Sequence, residues 1–61
     1  MTKRTFLVEG WLDGSTYDLG LPPDDVISVD ATDEGNAEDI GDKRLANKIG
    51  KCDVIIATVS D

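Results

Sequence analysis

Histidine is absent from this chain, and cysteine, tryptophan, tyrosine and phenylalanine occur once each. Without histidine, Cys₂His₂-type zinc sites and histidine acid–base catalysis within one chain are excluded. A single cysteine, Cys52, leaves no internal disulfide to brace the fold, and by its burial habit it reads as a small buried hydrophobe. No apolar run approaches the ~20 residues of a membrane span. The stretch MTKRTFLVEG has a basic pair, but Glu9 and Gly10 interrupt its apolar run. It makes a poor signal peptide, which predicts a cytoplasmic protein. Repeats, low-complexity tracts and linkers are missing as well, and Pro22-Pro23 is the one strong break. The 61 residues make a single small acidic domain, 1–61. A domain of that size buries only about 60% of its unfolded surface.

Positive charge is also scarce. Six bases stand against thirteen acids, a formal charge of −7. From Asp24 to Asp42 run Asp24, Asp25, Asp30, Asp33, Glu34, Glu38, Asp39 and Asp42, with no base among them. The bases gather in Lys3-Arg4 and in Lys43, Arg44, Lys48 and Lys51. Such a field repels free nucleic acid and anionic membranes and attracts basic partners. The alternative is a solvated surface of a salt-adapted protein, since Asp far outnumbers Glu.

Apolar alternation from Thr5 to Leu12 predicts a strand. Asp13-Gly14 then reads as a two-residue hairpin loop, the strongest short-range hairpin signal. In that register Phe6, Val8, Leu12, Tyr17, Leu19 and Leu21 share one face and Tyr17 covers Gly10. The same register opposes Glu9 to Asp18, an unfavourable pair of like charges. Pro22-Pro23-Asp24 predicts a turn. Asp25 to Ala31 predicts a third strand with Ile27, Val29 and Ala31 inward.

A helix follows, with Asn36 as N-cap, Asp39 reaching back to it, and Gly50 as a left-handed C′ residue. Its apolar arc is Ala37, Ile40, Leu45 and Ile49. Cys52 to Ser60 carries VIIATV, apolar on both alternating faces, the pattern of an interior strand beside a parallel neighbour. The predicted fold is α+β: a four-stranded mixed sheet (β-hairpin, strand, helix, strand) with one helix on one face. Val54 and Ile56 point one way and Ile55, Ala57 and Val59 the other, so one apolar set lacks cover within the chain. A partner or a second copy is expected there.

The chain also resembles the first half of a Toprim domain, the metal-dependent module of primases, topoisomerases and small ribonucleases. The resemblance rests on Val8-Glu9-Gly10, Asp13, Gly20, the strand Val26 to Val29, Thr32 and the closing DVIIATVSD. It implies that Glu9 is an acid–base or metal-site residue and that Asp61 is the second of two magnesium-holding aspartates. The sequence departs at the first of that pair, where Val59 offers no oxygen to a hard cation. A truncated or degenerate relative of such an enzyme is one expectation the resemblance supports.

Other motifs carry less. DATDEGNAED lacks the alternate ligands and twelfth-position Glu of an EF-hand. No glycine-rich phosphate cradle is present, and a Ser or Cys nucleophile has no histidine base. No cofactor and no metal are expected. The residues composition nominates for binding are Asp24, Asp25, Asp33, Glu34, Glu38, Asp39 and Asp42, with Trp11 as an aromatic anchor or as cover for the sheet's second face. The predicted function is a non-enzymatic acidic interaction module, an inhibitor or nucleic-acid mimic of the anti-restriction or anti-CRISPR type. Its partner would be a basic protein surface, such as a nuclease or nucleic-acid-binding complex. A small assembly protein that dimerises through its sheet is the remaining alternative.

Overall fold

The computed structural model describes residues 2–60, which form β1 (Arg4–Trp11), α1 (Gly14–Asp18), β2 (Asp25–Ala31), α2 (Glu34–Lys48) and β3 (Val54–Val59). The strands make one sheet in the order β2-β1-β3, with β1 antiparallel to both neighbours. β2 and β3 therefore run parallel to one another with β1 between them, and α2 carries the chain across. The fold is α+β, as expected, but the described residues form three strands, each antiparallel to its neighbour. Among the described residues there is no fourth strand and no mixed sheet, and β3 is an edge strand rather than an interior one.

The missing strand is the second arm of the expected hairpin. Asp13 acts instead as the N-cap of α1, its Oδ1 accepting from the Ser15 amide at 2.9 Å and the Ser15 hydroxyl at 2.8 Å. Thr16 adds a hydroxyl bond to the Asp13 carbonyl at 2.7 Å. An aspartate before Gly-Ser-Thr serves a helix start as well as a turn. Both sides of β1 go to β2 and β3, so nothing is left for residues 15–21 to pair with. Leu19 is accordingly 76% exposed, and Tyr17 and Leu21 are exposed too.

Register explains the core. Phe6 lies opposite Val29 and Val59, Val8 opposite Ile27 and Ala57, and Gly10 opposite Asp25 and Ile55. Directly opposed residues share a face of the sheet. This inner face carries Phe6, Val8, Val29, Ala31 and Ala57, and α2 covers it with Ala37 and Leu45. Val8, Val29 and Leu45 are the largest fully buried side chains. Glycine sets how close the layers come. A Cβ at Gly41 would meet Val8 Cγ1 at 2.4 Å, and one at Gly10 would meet Cys52 Sγ and Leu45 Cδ1, both at 2.8 Å. Gly10 is thus covered by Leu45 and Cys52, not by Tyr17.

The cap of α2 is Asp33, three residues before the expected Asn36. Asp33 Oδ1 accepts from the Asn36 amide at 2.8 Å, and Asn36 Oδ1 accepts from the Thr32 amide at 3.2 Å. Two side chains thereby satisfy donors at the helix entry, much as a capping box does. At the other end Gly50 has φ +112 and donates to the Leu45 carbonyl at 3.2 Å, the left-handed stop expected of it. The outer face of the sheet carries Leu7, Glu9 and Trp11 from β1, Val26 and Ser28 from β2, and Val54 and Ile56 from β3. Among the described residues only the α1 segment lies against it, at the Trp11 end.

Candidate functional site

The acids divide into two groups by what their carboxylates already hold. Asp24 Oδ2 accepts from the Leu12 amide at 2.8 Å, and Asp53 Oδ2 accepts from the Gly14 amide at 3.1 Å. Asp30 accepts from the Thr5 hydroxyl at 3.1 Å. Asp13 and Asp33 are helix caps. Asp25 Oδ2, shielded from water, takes Lys48 Nζ at 2.8 Å, while Oδ1 accepts from the Val26 amide. The Lys48 hydrogen bond, aided by the Val26 amide, holds the Asp25 carboxyl below its usual range against the opposing effect of desolvation. Asp13, Asp25 and Asp33 each accept from an amide one to three residues on, which a carboxylate on a one-carbon stem reaches and Glu overshoots.

The second group, whose carboxylates make no hydrogen bond or ion pair with another described residue, is Glu9, Asp18 and, on α2, Glu34, Glu38, Asp39 and Asp42. Glu38, Asp39 and Asp42 line an open groove of about 300 Å³ between α2 and the start of β3, completed by Lys51, Cys52, Asp53 and Ile55. Helical spacing produces this convergence, since residues three and four apart stack on one side of a helix. Cys52 lines the same groove. Burial pushes its thiol up, and Asp42, Asp24, Asp53 and Asp25 push it further. A thiol so placed stays protonated at neutral pH and is a poor nucleophile.

Of the residues nominated from sequence, the structure brings Glu38, Asp39 and Asp42 together. Glu34 lies a turn away, lining a larger groove of about 470 Å³ with Arg4, Phe6, Thr32, Asp33, Gly35 and Val59. Asp24, Asp25 and Asp33 are engaged within the chain. Trp11 is only 6% exposed. Its Nε1 donates to the Leu21 carbonyl at 2.9 Å, and its ring meets Tyr17 edge-on with centroids 4.9 Å apart. Its indole therefore covers the end of the sheet's outer face and tethers the α1 segment. Asp53 and Lys51 are the charged groove residues that sequence did not nominate. Both lie past the helix, outside the base-free run.

The residues of the Toprim resemblance do not meet at one place. Glu9 lies opposite Val26 and Ile56 on the outer face, while Val59 lies opposite Phe6 on the inner face. Position 59 is about 10 Å along the ladder from Glu9. Asp61 lies outside the described residues. Among the described residues no cluster of three or more acidic, Cys or His side chains is placed to hold a metal ion. No helix among them is long and apolar enough to cross a membrane. Comparison with protein-family models, with curated proteins and with solved structures found no match.

Proposed function

We propose that this chain is a non-enzymatic interaction module that receives basic side chains of a protein partner in the α2–β3 groove. The observation that carries this reading is the convergence of Glu38, Asp39 and Asp42 on one open groove where Lys51 is the one cation and none of the three carboxylates is bonded to it. Like charges lining one groove repel one another, and a Lys or Arg from outside relieves that repulsion beyond what Lys51 supplies. The groove admits one or two such side chains, and the net charge of −7 steers a basic surface toward it. Proteins that hold nucleic acid present such surfaces, so a nuclease or a related nucleic-acid-processing protein fits as partner. Inhibition by occupying its phosphate-binding groove would follow.

Titration with an arginine-rich peptide tests the reading through two triple variants of equal charge. In one, Glu38→Gln, Asp39→Asn and Asp42→Asn neutralise the groove; in the other, Glu9→Gln, Asp18→Asn and Glu34→Gln neutralise acids elsewhere. The groove variant should lose at least tenfold in affinity and most of the salt dependence, and the control should lose little. Equal losses in both would mean that net charge alone binds the peptide, which removes the groove from the proposal.

A further inference from the structure

The two edges of the sheet differ in a way that selects a partner. β2 carries Asp25 and Asp30, with Lys48 held on Asp25, and charges on an edge strand discourage strand addition. β3 has no charged residue from Val54 to Val59. Ser60 donates to the Thr5 carbonyl at 3.0 Å, which makes Thr5 and Ser60 a hydrogen-bonded pair. The alternation of an antiparallel ladder then turns the backbone groups of Thr58 and Ile56 toward β1 and those of Ile55, Ala57 and Val59 outward. These last three belong to the inner face, beside α2. Each of the two open grooves next to α2 has one of them as its β3 wall, Val59 in the larger and Ile55 in the smaller.

We infer that a second copy of this chain adds its own β3, antiparallel, to this edge about a two-fold axis at Ala57. The pairing is self-complementary. Ala57 meets Ala57 of the second copy, and Ile55 meets the second copy's Val59, with roughly six new backbone hydrogen bonds. An apolar side chain of the other copy thereby extends the β3 wall of each groove and leaves the groove open, because the Ile55-to-Val59 spacing matches the separation of the grooves with direction reversed. The product is a six-stranded antiparallel sheet with both α2 helices on one side. Glu38, Asp39 and Asp42 of the two copies then line opposite walls of one channel over the axis, so the copies repel electrostatically while their strands attract.

That opposition gives a signature separate from the peptide-binding proposal: the dimer strengthens with salt, whereas charge-driven binding weakens. Sedimentation velocity from micromolar to millimolar protein should show a monomer–dimer equilibrium at least several-fold tighter in about 0.5 M than in about 0.05 M NaCl. Val59→Pro removes an outward N–H on an edge strand, where proline is tolerated, and should weaken the dimer at least tenfold with the circular dichroism retained. A spin label at Thr58→Cys in a Cys52→Ala background supplies a readout independent of how Val59→Pro folds. Its dimer partner should lie within about 20 Å, since the two positions are diagonal neighbours across adjacent strands. A monomer at every concentration and salt, a dimer that salt dissociates, a folded Val59→Pro that dimerises like the parent, or a dimer without short-range coupling at position 58 each overturns the inference.

Discussion

Val8 of β1 and Gly41 of α2 are in contact across the core, and a single added Cβ on Gly41 would come within 2.4 Å of Val8 Cγ1. Two effects compete in Gly41→Ala. Alanine gains about 0.8–1 kcal/mol in helix propensity, while overpacking a buried contact costs typically 1–3 kcal/mol. The neighbour here is a short branched side chain with no flexible end to move aside, so the cost wins. Gly41→Ala should lower the urea midpoint, and Val8→Ala should cost less in the Gly41→Ala background than in the parent. That coupling is expected for residues in direct contact.

Asp33, not Asn36, is the N-cap of α2. Asp33→Ala should cost about 0.5–2 kcal/mol, a large share of the roughly 3–9 kcal/mol expected of a domain this size. Asn36→Ala removes only the bond to the Thr32 amide at the helix entry and should cost less. Chemical denaturation of the two variants orders them. The reverse order would place the cap where the sequence alone suggested.

Stability should fall with acid for an assignable reason. Asp13 is held below its usual range by the Ser15 amide and hydroxyl, and Asp25 chiefly by Lys48. A depressed carboxyl contributes stability above its unfolded value, near 3.8, and loses it as pH falls through the lower folded value. Asp25→Asn should therefore be less stable than the parent at about pH 5, with the gap closing toward about pH 2. Urea midpoints across that range measure it. A gap independent of pH would mean that packing, not the ion pair, is what Asp25 contributes.

Trp11 is the tether of the α1 segment. Trp11→Phe keeps an aromatic ring against Tyr17 but loses the bond to the Leu21 carbonyl, a net cost of about 0.5–1.5 kcal/mol. Water can reach exposed Leu21, which puts the expected loss at the low end. The effect should be local, with faster amide exchange at residues 14–21 and little change in β2 or α2. Trp11→Ala empties a buried site and should cost about 3–5 kcal/mol, enough to threaten the whole fold.

What could be read from the chain was whatever a single segment decides. The inward set Ile27, Val29 and Ala31, the stop at Gly50 and the division of β3 into two apolar faces all follow from alternation or from one residue's backbone preference. The α1 segment did not, because Asp13-Gly14 satisfies both a hairpin turn and a helix cap. Competition between long-range partners chose between them. β1 has two sides, and β2 and β3 fill both with well-matched apolar residues opposite Phe6 and Val8. TYDLGL offered alternation too, but at the cost of opposing Glu9 to Asp18. The acidic groove was half legible. Spacing along α2 brings Glu38, Asp39 and Asp42 together, but composition could not tell them from Asp24, Asp25 and Asp33, whose carboxylates are consumed by nearby amides and by Lys48.

The central place of β1 has a consequence for how the chain finds its structure. The strand that both others need is the first of the three in the chain, and its pairing with β3 joins segments separated by most of the sequence. Loop closure makes such contacts slow to form, so β1 and β2 should pair early and wait for β3 to dock. Until it does, β1 presents a bare edge with Phe6 and Val8 uncovered on one flank. That interval is when the chain is most exposed to misassociation.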